Sequence, residues 1–169
     1  MQITRASDYA VRVLIHLAGL PAGSTVRQSE LAQATAVPGH FLSKVLQQLV
    51  RSGFIRSHRG SGGGFALTVD TKTVSLLEIV EAIEGPIRLN QCLEEGPSCE
   101  RKPWCPAHRV WAEAQAAVVK VLGSASVAQL AAVFAAELGV GQGHPETKIW
   151  ITGVPTQNST RRIRRPRTR

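Results

Sequence analysis

Three thiols and one imidazole crowd into seventeen residues: Cys92, Cys99, Cys105 and His108, separated by six, five and two residues. Thiolate sulfur is the ligand of iron–sulfur clusters and of structural zinc. Gly96, Pro97, Pro103 and Pro106 work against regular structure, so the segment reads as a loop able to wrap a central object. Zinc sites usually carry a tight C-x2–4-C knuckle, absent here. The wider spacing fits an iron–sulfur cluster better and leaves zinc as the second reading. A third reading is three reduced, unligated cysteines, although free thiols prefer apolar surroundings and this loop is charged. His108 stands three residues after Cys105, where a helix is expected to begin. It serves there either as a ligand or as an ordinary helix-start residue.

These three are all the cysteines of the chain. The opening MQITRASDYAVRV has no apolar block ahead of a small-residue cleavage site, so no signal peptide is expected. An odd cysteine count in such a chain argues for reduced thiols rather than a disulfide framework. The longest apolar run falls far short of the roughly 20 residues of a membrane helix. The expectation is a soluble, cytoplasmic protein. At 169 residues and 43% apolar it can build a core, but with 5% aromatics that core must come from Ala, Val, Leu and Ile.

The second constellation is polar. Apolar spacing predicts a helix over 8–20, with Ala10, Val13, Leu14, Leu17 and Ala18 on one face and Ser7 or Thr4 as its cap. A second helix is expected around Arg27–Thr35, with Leu31, Ala32 and Ala34 inward. After the turn Thr35-Ala36-Val37, Pro38 should open a third helix to about Arg51, burying Leu42, Val45, Leu46, Leu49 and Val50. Two helices across so short a turn form a helix-turn-helix. The outward residues of the third helix are His40, Ser43, Lys44, Gln47 and Arg51, all polar and none acidic. The first three are placed to meet base edges, and Gln47 and Arg51 to meet phosphates, with Arg27 and Gln28 on the backbone.

The period then changes. Residues 54–58 and 65–69 read as strands flanking a glycine-rich turn, a wing whose tip carries Arg59. The run Gly60-Ser61-Gly62-Gly63-Gly64-Phe65 lacks the last glycine of a dinucleotide fingerprint and precedes a strand, so it is no nucleotide site. Ser75 and Glu78 form a capping box for a helix over 76–84, closed by Gly85-Pro86. Pro106 opens a longer helix to about Leu122, with Val110, Trp111, Ala114, Val118 and Val121 on one side. Ser126 starts another through Leu138, striped by Val127, Leu130, Ala131 and Phe134. Singly, each polar outward residue is an ordinary solvated position. Charge tips the balance towards DNA. Residues 1–60 are net +5, 61–146 net −4 and 147–169 net +7, so a basic front and tail would attract nucleic acid.

The stretches SDYAVRVLIHLA, SELAQATAVPGHFLSKVLQQLVRSGFI and RGSGGGFALT, followed by the three-cysteine loop and a long helix, resemble the Rrf family of bacterial winged helix-turn-helix repressors. The likeness spans about residues 1–138. It implies a mainly α fold with a small β-hairpin: a winged helix-turn-helix domain over 1–85 and a cysteine loop with dimerisation helices over 86–138; residues 139–169, rich in Gly, Pro and Arg and without a period, read from their composition as a basic, disordered tail that is extra to the family pattern. It also implies a homodimer joined through the long helix, and an iron–sulfur cluster that tunes operator binding. Cys92, Cys99 and Cys105 match the family's ligand cysteines. His108 matches the fourth ligand of IscR-type members, implying a 2Fe–2S cluster. Asp8 matches the position from which NsrR-type members supply a carboxylate to a 4Fe–4S cluster, although an acid in a helix's first turn also suits the macrodipole. The Cys92–Cys99 gap is one residue longer than in IscR-type members, and His40, Ser43 and Lys44 differ from their base-reading residues. The cluster type and the operator therefore stay open.

The expected function is a DNA-binding repressor whose cluster senses nitric oxide, redox or iron–sulfur status. The alternatives are a winged-helix regulator with structural zinc or no metal, and a thiol or iron–sulfur redox protein that does not act on DNA. The last lacks a C-x-x-C pair. No Ser/His/Asp or paired-carboxylate arrangement stands out, so no enzyme is expected.

Overall fold

Helix α1, Arg5–Ala18, begins three residues before the expected point because Thr4 caps it, its hydroxyl accepting from Ala6 N–H at 3.1 Å. The computed structural model describes residues 3–60, 62–94 and 99–139. Ser7, the other expected cap, is fully buried and donates to the Glu84 carboxylate at 2.6 Å. The Thr4 hydroxyl donates to the same oxygen.

Helix α2, Gln28–Thr35, starts where the Glu30 carboxylate accepts the Arg27 N–H at 3.0 Å. Leu31 is buried as expected and Ala32 half-buried, but Ala34 is exposed and Thr35 takes its place. The reason is spacing: one helical turn after Leu31 the inward face falls on Thr35. Its hydroxyl is satisfied by the Leu31 carbonyl at 2.6 Å. Ala36 turns the chain with φ 54°, the one non-glycine residue at positive φ among those described.

Pro38 is the cap of α3, Gly39–Arg51, rather than its first helical residue. Its carbonyl accepts from Leu42 at 2.9 Å. Leu42, Val45, Leu46 and Leu49 are buried and Val50 half-buried. Gly53, at φ 77°, ends the helix. Strands β1, Ile55–His58, and β2, Gly64–Leu67, pair antiparallel from Ile55↔Leu67 to His58↔Gly64. A bridge from Val26 to Phe65, with bonds of 2.9 and 2.8 Å, fastens this hairpin to the segment before α2.

Helix α4, Leu76–Glu84, has the expected Ser75/Glu78 capping box, and the Ser75 amide and hydroxyl bonds hold the Glu78 carboxyl below its ordinary pKa. After single 3-10 turns at Gln91–Leu93 and Lys102–Trp104 come α5, Pro106–Ser124, and α6, Val127–Gly139. The core gathers residues of α1, α2, α3, the hairpin and α4, and Val127 of α6 joins it. No residue of α5 is buried: Val110 is 64% exposed, and Trp111 and Val121 are also open. On α6 the stripe buries Val127 and Ala131, but Phe134, expected inward, is exposed because the core ends before that turn. No described helix is long and apolar enough to cross a membrane. The expected tail lies outside the described residues, apart from its first position, Gly139.

Burial of the Glu84 carboxyl would raise its pKa, but the bonds from Ser7 and Thr4 outweigh that and hold it below the ordinary value. A folded pKa depressed in this way stabilises above the unfolded value of about 4.3, and the gain is lost as pH falls through the lowered folded value. Glu84→Gln is therefore expected to cost about 1 kcal/mol at pH 7, since the group is exposed. It should also flatten the acid limb of a thermal-melting series from pH 7 to 3. An unchanged acid limb would count against the clamp.

Candidate nucleic-acid interface and cysteine centre

The outer face of α3 presents His40, Lys44, Gln47 and Arg51, all exposed. Ser43 is turned further in. Its hydroxyl accepts from Gln28 Nε2 at 2.7 Å and bonds the Gly39 carbonyl at 3.1 Å. Ser43 and Gln28, both expected to meet DNA, are thus tied to each other across the α2–α3 joint. Arg27 is exposed at the start of α2. Arg59 follows β1 directly and is exposed at the hairpin tip, where Gly63 N–H closes a turn on the Gly60 carbonyl at 2.9 Å. Two of the wing glycines leave no room for a side chain. A Cβ on Gly63 would lie 2.5 Å from the His58 carbonyl oxygen, and one on Gly64 2.4 Å from that of Val26.

Phe41 is the residue the sequence reading passed over. It is 44% exposed in the first turn of α3, its ring 4.1 Å from that of His40 and 6.1 Å from that of Tyr9. Its signal was present: next to Leu42, it sits about 100° round the helix from the buried stripe.

The cysteine centre is built from two strands of chain. Cys92 lies in the turn Gln91–Leu93 and Cys105 caps α5, whose first turn carries His108. His108 N–H donates to the Cys105 carbonyl at 3.1 Å, and His108 Nδ1 lies 3.5 Å from Cys92 Sγ, the tautomer setting which of them donates. So Cys92, Cys105 and His108 are tied around one helix start. Cys99 is half-buried between the two turns. All three thiols are free and reachable. Among the described residues no three His, Cys, Asp or Glu side chains converge as a metal cage. Asp8, the alternative ligand, is engaged within α1 by Arg12 Nη2 at 2.8 Å.

The donor chemistry nonetheless fits a soft metal or cluster: three partly exposed thiols, one of them at the start of α5, with an imidazole beside Cys92. A pocket of about 330 Å³ borders the site, lined by Lys102, Trp104, Cys105, His108 and Arg109 among others.

Comparison with known proteins agrees with this architecture. The Rrf2 model, described as an iron-dependent transcriptional regulator, matches residues 3–133. The helix-turn-helix-type transcriptional regulator Rv1287 of Mycobacterium tuberculosis is 29% identical over 131 residues, covering 78% of this chain and 81% of the relative. CymR, the global cysteine regulator of B. subtilis, superposes with a TM-score of 0.62 at 26% identity, covering 79% of this chain and 98% of CymR. T. potens IscR gives 0.65 at 20% identity over 85% of this chain and 94% of IscR, a likeness of fold. A helix-turn-helix with its wing, seated on the core that the matched residues build, places this chain in the Rrf2 family of DNA-binding transcription regulators, which are not enzymes.

Proposed function

We propose that this regulator is a cytoplasmic homodimer that represses transcription and whose operator affinity is set by an iron–sulfur cluster at the cysteine centre. The observation that carries the reading is the Cys92 Sγ–His108 Nδ1 approach of 3.5 Å, which joins the loop to the first turn of α5. Cys92, Cys99 and Cys105 as thiolates and His108 as neutral imidazole would hold the cluster. When bound, it supplies a centre reactive towards nitric oxide, oxidants and iron shortage.

The chain's own residues carry the effect. The turn bearing Cys92 packs on α5, α5 on α4, and α4 on both α1 and α3. A changed seat for Cys92 and His108 therefore reaches the reading helix through packed elements. The open face of α5, with Trp111 and Val121, is supported as the dimer contact by its exposure in the single chain. In a symmetric dimer two α3 helices must stand about 34 Å apart to enter successive major grooves. A small change in that separation is worth roughly 1–3 kcal/mol of coupling. On α3, His40 and Lys44 meet the bases and Gln47 and Arg51 the phosphates, while Arg27 and Arg59 hold phosphate or minor groove. The tie between Ser43 and Gln28 gives them a second duty, fixing the angle between α2 and α3.

A metal-free form of the same mechanism is favoured by the likeness to CymR, named for cysteine regulation. The test is an anaerobic absorption spectrum of the purified full chain with iron, sulfide and zinc analysis. Visible absorption with iron and sulfide in matching amounts is the expected result. A colourless protein without iron overturns the cluster, and one tightly held zinc per chain selects the structural-metal version.

A further inference from the structure

Among the described residues of α2, α3 and the hairpin, Phe41 is the one large hydrophobic side chain left exposed. It is not loose. Its ring is tilted 43° to that of His40 and 53° to that of Tyr9. Behind Tyr9 the Arg12 guanidinium lies 5.8 Å from the ring centroid and is itself pinned by Asp8. A fixed apolar surface thus stands in the first turn of α3, beside His40, where a recognition helix meets base edges. The other residues exposed on that face, His40, Lys44, Gln47 and Arg51, are polar or charged. In the major groove the apolar feature to be read is the 5-methyl group of thymine.

We propose that Phe41 is a specificity-determining residue whose ring, in contact with the rings of His40 and Tyr9, packs on a thymine 5-methyl group in each half-site. The inference rests on the DNA-reading role of α3 and adds to it a single base preference. Tyr9, which meets the Phe41 ring from α1, is then a positioning residue.

The test uses a duplex enriched from a random pool by the full-length protein. Each thymine is replaced singly by deoxyuridine, which keeps its pairing and loses the methyl. Burying one methyl corresponds to about fourfold in affinity. The wild type is expected to lose about that factor at one thymine per half-site. Phe41→Ala should bind the thymine duplex correspondingly less well and be indifferent to uracil at that position alone, while Phe41→Leu keeps part of the sensitivity. A Phe41→Ala protein with the wild-type uracil profile overturns the proposal. So does one that weakens equally on the enriched duplex and on unrelated DNA, which would make Phe41 a strut for α1. If no duplex is enriched at all, the DNA-reading role of α3 itself falls and this inference with it, an outcome distinct from the other two.

Discussion

Gly64→Ala is expected to unseat the wing. The added Cβ would stand 2.4 Å from the Val26 carbonyl oxygen and 2.7 Å from its carbon, both backbone atoms that cannot rotate away. The two bonds joining Val26 and Phe65, at 2.9 and 2.8 Å, must lengthen or break to make room. Overpacking costs about 1–3 kcal/mol, and each weakened bond adds roughly 0.5–1.5 kcal/mol. A total near 3 kcal/mol is a large share of the stability of a domain this size. Thermal melting should show it directly, and DNA affinity should fall further than stability alone demands because Arg59 rides on the same hairpin. Gly62→Ala is the control. A Cβ there meets nothing within 4 Å, so that variant should match the wild type to within about 0.5 kcal/mol. Equal behaviour of the two variants would refute the account of the wing.

The second large effect concerns the thiols. Replacing Cys92, Cys99 and Cys105 together by serine removes every thiol the chain has. On the proposed reading, bound iron falls from stoichiometric to none, and exposure to nitric oxide or oxidant no longer alters DNA affinity. The wild type should show a change of roughly 5- to 150-fold between its two states, the span of ordinary allosteric coupling. Binding titrations on the enriched duplex, before and after anaerobic nitric oxide, measure both proteins side by side. A serine protein that still switches would remove the cysteine centre from regulation altogether. A serine protein that folds, binds and stays fixed in one state is the expected result.

Much of this molecule was legible in advance because local signals agreed with one another. The capping box at Ser75 and Glu78 placed α4 to the residue, and the Leu42-Val45-Leu46-Leu49 stripe oriented α3. The misreadings have physical causes. Ala34 and Thr35 compete for the inward position of α2, and only the helical phase, with a carbonyl to receive the threonine hydroxyl, decides for Thr35. Ser7 reads as a cap because serine favours caps. Its actual partner, Glu84, is 77 residues away, and no local rule reaches that far. The stripe on α5 was identified correctly as apolar, yet periodicity cannot tell a face buried within one chain from a face left open by it. At the candidate site the sequence located every sulfur but not the approach of His108 to Cys92, which depends on how the loop returns to α5.

Helix α6 crosses back to pack on α1, and its start is sewn to the approach of α4 by Leu76 N–H to the Ala125 carbonyl and Val127 N–H to that of Val74. The order of the chain gives this closure a consequence. The positions that Val127 and Ala131 fill against the core are supplied only by residues past the thiol-bearing loop. The last described helix therefore completes the core: the packing of α1 draws on residues that follow the thiol-bearing loop in the chain, so the two halves of the regulator share one fold.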